Sequence, residues 1–142
     1  MKLLVPVDGS ECSRRAVEHA IRLARQGEPP DIHVLHIRPA IDAWEVRRFL
    51  NEEEIAQMQQ REGEETLRPI RALLDAAAVV YRAQVLAGSG SVAETIARYA
   101  DENACDLIVI GTHGRSGLAH ILMGSVATET IHLSRVPVTL VK

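Results

Sequence analysis

Leu107-Ile108-Val109-Ile110-Gly111-Thr112-His113-Gly114 is the stretch on which the fold turns. Its four consecutive aliphatic residues read as a short strand buried on both faces, as the central strands of a parallel sheet do. The run ends on a glycine and enters a Gly/Ser/His-rich loop with one or two helical turns. Gly124-Ser125 then opens a helix from Ser125 to about Leu133, and Val136-Pro137-Val138-Thr139-Leu140-Val141 follows as a closing strand.

Upstream the same alternation continues. Leu3 to Val7 is a short apolar run closed by Asp8-Gly9-Ser10, with Ser10 as the expected N-cap. Ala16, Val17, Ala20, Ile21 and Ala24 recur at helical spacing behind it, until Gln26-Gly27-Glu28-Pro29-Pro30 stops the helix with a glycine near its C-terminal cap. Ile32 to Ile37 reads as a second strand ended by Pro39. Between Ile41 and Asn51 the apolar residues Trp44, Val46 and Phe49 fit no single period. A long helix is expected from Glu52 to Ala77, weakened by Gly63 and kinked by Pro69. Val79 to Leu86 is a third strand, and Ser91-Val92-Ala93-Glu94 matches a capping box opening a helix with Val92, Ile96 and Ala100 on one side. Strand and helix in strict alternation argue for a parallel sheet with helices on both faces.

Composition agrees. The 142 residues are 46% hydrophobic and 25% charged but only 3% aromatic, so the core must be aliphatic. A chain of this length forms one domain, spanning 1–142, that buries roughly 70% of its unfolded surface and needs no staple. A net charge of −3 offers no basic stripe for nucleic acid and no attraction to anionic lipid. Cys12 and Cys105 have no metal-ligand spacing, and no stretch of 18 apolar residues suggests membrane insertion. The expectation is a cytoplasmic protein.

In an open parallel sheet, ligands sit beyond the carboxyl ends of strands where successive connections leave to opposite faces. Two loops at that edge carry unusual chemistry, Asp8-Gly9-Ser10 and Gly111 to Gly124. Gly111 and Gly114 lack a Cβ, so positive φ and close approach of an anion to backbone amides are both open to them. Gly124-Ser125 stands at a helix start, where free amides, the helix dipole and a hydroxyl favour a phosphate. The histidines are read differently: His33 and His36 share a strand with apolar neighbours and are expected to pack, while His19, His120 and His132 show no ligand spacing. Cys12 is read as a small packing residue, Arg115 as solvated, and the Glu52 and Glu62–Glu65 clusters as solvated helix face.

The spacing Gly111-x2-Gly114-x9-Gly124-Ser125 resembles the nucleotide-binding signature of the universal stress protein family, in its ATP-binding class. The resemblance runs the whole chain, from Val5-Pro6-Val7-Asp8-Gly9-Ser10 through Leu35-His36-Ile37 to Gly124-Ser125-Val126-Ala127 and Val136-Pro137-Val138. It implies a Rossmann-like, open five-stranded parallel sheet of order 3-2-1-4-5. It implies roles as well. Pro6, Val7 and Asp8 would border the adenosine with Asp8 near the ribose, and Ile37 would hold adenine through its backbone. Gly111, His113, Gly114, Gly124, Ser125, Val126 and Ala127 would hold ribose and phosphates. Two places depart from the relatives' pattern, Gly88-Ser89-Gly90-Ser91 in place of a Gly-x-Pro run and Ala78 in place of a helix-ending glycine.

Two functions remain open on these residues. One is a regulatory module that binds ATP, ADP or AMP, with Mg²⁺ through the phosphates as an option. The other is a slow ATP hydrolase or phosphotransferase using the same cleft. Phosphoryl transfer calls for positioned cations and a water-orienting group; Asp8, Ser125 and Arg115 are all this sequence offers, so binding is favoured. An apolar terminal strand at a sheet edge exposes unpaired backbone groups that a second copy can satisfy. Val136 to Val141 is such a strand, relatives commonly pair through it, and a homodimer is expected.

Overall fold

The computed structural model describes residues 1–40, 48–114 and 123–142. Trp44, Val46, Arg115, His120 and the helical turns expected after Gly114 lie outside them.

Among the described residues nine elements alternate: β1 (Lys2–Pro6), α1 (Glu11–Ala24), β2 (Asp31–Arg38), α2 (Glu52–Ala76), β3 (Tyr81–Ala87), α3 (Val92–Glu102), β4 (Leu107–Gly111), α4 (Ser125–Leu133) and β5 (Val138–Val141). The five strands form one parallel sheet in the order β3-β2-β1-β4-β5. β1 is its central strand, pairing Leu3 with both Ile32 and Leu107.

Alternation along the strands divides the core in two. Leu3, Val5, Ile32 and Val34 face α1 and α2, and pack with Ala16, Val17, Ala20, Leu67, Ile70 and Leu74. Leu4, Leu35, Ile37, Ile108 and Ile110 face the other way, onto Ile96 and Ala100 of α3 and Ala127 of α4. β1 and β4 therefore lie side by side while their outgoing helices, α1 and α4, cover opposite faces. The crevice between their carboxyl ends is the switch point at which doubly wound sheets bind ligands.

Local signals explain most boundaries. Ser10 caps α1 by accepting from the Ser13 amide at 3.1 Å. Ser91 and Glu94 form the expected capping box of α3, and Asn51 with Glu54 forms another at the start of α2. α2 continues through Pro69, and two expected strand starts, at Val79 and Val136, need correction. Gly63 is buried where that helix closes on the sheet, facing Val85 and His36. β3 begins at Tyr81 because Val79 finishes the C-terminal turn of α2, its amide reaching the Leu74 carbonyl at 3.4 Å. β5 begins at Val138, since Pro137 has no amide to give a ladder. Among the described residues the left-handed positions are Gly9, Ala78, Gly90 and Ala104, so Gly27 is not one of them.

Candidate functional site

β1 ends by pushing Asp8 into the crevice. The Asp8 carboxylate closes a tight turn, Oδ1 accepting from the Ser10 amide at 2.9 Å, and Gly9 makes that turn with φ 84°. That turn occupies one carboxylate oxygen. Oδ2 faces Gly114 across the crevice, 2.8 Å from where a Cβ on that glycine would stand. The Ser10 hydroxyl donates to the His113 carbonyl at 3.4 Å, so the loops after β1 and β4 are joined.

The loop after β4 is anchored by backbone. The Thr112 amide donates to Val141 at 2.8 Å, and the Gly124 amide donates back to Thr112 at 2.6 Å, folding the start of α4 against the end of β4. Gly124 is the N-cap, and no side chain caps α4 among the described residues. Its first-turn amides, at Ser125, Val126 and Ala127, have no acceptor within the helix, and no acidic residue occupies that turn. Of the two freedoms open to Gly111 and Gly114, positive φ is not used. They are glycine for want of space: a Cβ on Gly111 would press on the backbone of Cys12 in α1, and one on Gly114 would press on Asp8. His113 turns its Nδ1 to the Thr112 hydroxyl at 2.9 Å.

β2 supplies the third wall. The Leu35 carbonyl accepts from the Val7 amide at 2.8 Å, so the backbone groups of Leu35 point toward β1. Two residues on, those of Ile37 point the same way. β1 pairs with β2 only as far as Pro6 and Leu35, so the Ile37 amide and carbonyl open into the crevice. Arg38 points oppositely, its carbonyl taking the Gly88 amide at 2.9 Å.

Together these parts enclose a cleft of about 570 Å³. All eleven residues singled out in the sequence line it: Pro6, Val7, Asp8, Ile37, Gly111, His113, Gly114, Gly124, Ser125, Val126 and Ala127. Sequence reasoning missed others. Val92 and Ile96 of α3 and Ile110 of β4 give it an apolar wall, which the helical stripe of α3 already signalled without saying what it faced. His36, Glu62 and Thr66 line the opposite end. His36 is packed as expected, with Nδ1 on the Val7 carbonyl at 3.0 Å, yet it also borders the cleft. The residue types at this end carry no signal in one sequence, because α2 is brought there only by the crossover.

The described lining carries Asp8 and Glu62 but no Lys or Arg. Among the described residues no three His, Cys, Asp or Glu side chains are grouped to hold a metal ion, and no helix is long and apolar enough to cross a membrane. An anion entering near Gly114 would therefore meet the α4 amides and the Ser125 hydroxyl, with the apolar wall left for a flat ring.

Comparison with known proteins agrees with this geometry. The family model described as the Universal stress protein family matches residues 1–142. Universal stress protein MJ0531 of Methanocaldococcus jannaschii is 32% identical over 148 residues, which cover 99% of this chain and 81% of that protein. Among solved structures, MJ0577 from the same organism aligns with a TM-score of 0.84 at 27% identity, over 99% of this chain and 94% of the other. A universal stress protein from Archaeoglobus fulgidus, solved in complex with dAMP, aligns with a TM-score of 0.72 at 24% identity, over 100% and 98% of the two chains. Sheet order, cleft and whole-length match lead to one conclusion: the chain belongs to the universal stress protein family.

Proposed function

We propose that this chain is an adenine-nucleotide-binding regulatory protein of the stress response, acting as a homodimer whose nucleotide-bound and empty forms differ for its partners. The observation that carries the reading is the uncapped N-terminus of α4 facing Gly114 and Asp8 in a cleft of about 570 Å³ at the switch point. That volume lies within the range of small-molecule sites. Adenine lies against Val92 and Ile96 with its polar edge on the Ile37 backbone. The ribose hydroxyls meet Asp8 Oδ2, and the phosphates meet Ser125, Val126 and Ala127 beside His113. The dAMP complex of the Archaeoglobus fulgidus relative supports an adenine nucleotide as the ligand class. Magnesium would enter with the phosphates of ADP or ATP.

Binding is favoured over turnover because one Asp8 oxygen is committed to the Ser10 amide, and no Lys or Arg lines the described cleft. Calorimetric titration with ATP, ADP and AMP, on the wild type and on Gly114→Val/Gly124→Val, tests the assignment. Binding by the wild type with loss in the double variant is expected. Equal titration of both would defeat it. ATP turnover abolished by the same substitutions would move the reading to the slow hydrolase.

A further inference from the structure

His33 lies at the opposite end of the sheet from the cleft, 3% exposed, under α3. Its Nε2 is 3.0 Å from Asp31 Oδ2, and its Nδ1 is 2.9 Å from the Tyr99 hydroxyl, with the two rings edge to face at 5.8 Å. The Gln84 amide donates to that same hydroxyl at 3.3 Å. These partners determine where the protons are. A carboxylate only accepts, so Nε2 carries the hydrogen. In the neutral ring Nδ1 then accepts, and Tyr99 donates to it. The chain of donors runs from Gln84 to Tyr99 to His33 to Asp31.

A second proton on the ring reverses that chain. An Nδ1–H would face the Tyr99 O–H across 2.9 Å, two hydrogens with no acceptor between them. Relief requires Tyr99 to turn its hydrogen away, and the nearest available partner is Gln84, with its amide turned to present oxygen. Burial pushes the Asp31 carboxyl up, but its bond to His33 and the charges of His33, Arg82 and Lys2 outweigh this and hold it down, ionised. Cys105 stands near Tyr99, and Asp106 is tied to the Lys2 backbone amide at 2.6 Å. Asp31, Arg82, Lys2, Tyr99, Cys105 and Asp106 are thus the titratable groups around the ring on β1, β2, β3, α3 and the turn before β4.

Tyr99 belongs to α3, whose first residues, Val92 and Ile96, form the apolar wall of the cleft. Seven residues, or about 10 Å of helix, separate Tyr99 from Val92. We propose that His33 is a proton-operated switch at the foot of α3, and that its output is nucleotide affinity at the other end of the same helix. The output rests on the nucleotide reading of the cleft; the switch does not.

Side-chain NMR from about pH 8 to about pH 5, the interval in which histidines change charge, tests both parts. His33 Nδ1, Tyr99 Cζ and the Gln84 side-chain amide are expected to shift with one shared midpoint. His33→Gln, which preserves a donor for Asp31 and an acceptor for Tyr99, leaves the Tyr99 and Gln84 signals flat. Tyr99→Phe leaves Gln84 flat while His33 still titrates, and it carries the test should His33→Gln not fold. AMP titrated into wild type and His33→Gln over the same interval reads the output. The ratio of their affinities is expected to change by about fivefold or more across that midpoint. Signals that move independently, or do not move, overturn the switch. A constant ratio overturns its output. Absence of AMP binding to both proteins defeats the nucleotide reading and the output with it, while the imidazole and phenol signals still decide the switch.

Discussion

A Cβ added to Gly111 would stand 2.8 Å from the carbonyl carbon of Cys12 and 2.9 Å from its Cβ, against the first turn of α1. Backbone yields only if the helix moves off the sheet. Gly111→Ala is expected to cost about 1–3 kcal/mol, read as a lower urea midpoint. At Gly114 the added Cβ meets only Asp8 Oδ2, at 2.8 Å, the end of a side chain that can swing. Gly114→Ala should cost no more than about 1 kcal/mol, the bond from the Ser10 amide that a displaced carboxylate gives up, while lowering AMP affinity, because that carboxylate is the group assigned to the ribose. A variant that lost stability and kept its affinity would reverse that division. The spacing of these glycines was legible in the chain, and so was the loop they serve. The reason for each was not, since periodicity cannot say which atom stands opposite a missing Cβ. Asp31 adds a pH-dependent test. Its folded carboxyl is held below the ordinary value of 3.8, so its stabilisation is present above that pH and disappears as pH falls through the lower folded value. Asp31→Asn should therefore lower the unfolding temperature at neutral pH, with the difference from wild type closing below about pH 4.

Elements meet by the same economy of space. Gly63 sits inside α2, where alanine is favoured over glycine by about 1 kcal/mol. Yet a Cβ there would lie 2.7 Å from both methyls of Val85 and 2.9 Å from His36 Cδ2. Val85 is stiff at χ1 and His36 is bonded to Val7, so neither gives way cheaply. Gly63→Ala is expected to destabilise by about 1–3 kcal/mol net. In the double variant with Val85→Ala part of that loss should return, a coupling that chemical denaturation of the four-member cycle measures. The C-termini of α2 and α3 show the converse. Ala78 donates to Asp75 and Val79 to Leu74; Ala104 donates to Asp101 and Cys105 to Ala100. Both are Schellman turns, with alanine at φ 55° and 50° where glycine is the unstrained residue. Ala78→Gly and Ala104→Gly should each stabilise by about 0.5–1 kcal/mol, the relief of left-handed strain exceeding the entropy glycine adds to the unfolded chain. The departure at Ala78 was visible in the sequence; that it is a strained cap appears only once the turn is seen. Ser91 and Glu94, whose partners lie three residues apart, were legible in full, because a capping box is local chemistry.

At the scale of the whole molecule the two edges of the sheet differ. Along β3, Arg71 of α2 donates to the Ala83 carbonyl at 3.0 Å and covers part of that edge. On the β5 edge Arg15 reaches only the Lys142 carbonyl beyond the strand, at 3.4 Å, and Leu140 is 39% exposed. Strand polarity there is known from its partner. The carbonyls of Pro137 and Val141 accept from Ile108 and Thr112, so residues 137, 139 and 141 turn their backbone groups toward β4. Val138 and Leu140 then present theirs outward, to solvent or to a second copy. This separates dimerisation from folding by one residue. Leu140→Pro removes an outward amide and leaves the β4 ladder whole, as proline on an edge strand is tolerated. Thr139→Pro removes an inward one. We expect wild type to sediment as a dimer at micromolar concentration. Leu140→Pro should sediment as a folded monomer with an unaltered circular dichroism spectrum, and Thr139→Pro should lose stability. A dimer that survives Leu140→Pro would place the interface elsewhere than β5, and a monomeric wild type would remove the dimer from the proposed mechanism. The sequence pattern of Val136 to Val141 marks an apolar edge but not its polarity, because register to β4 decides which amides face out.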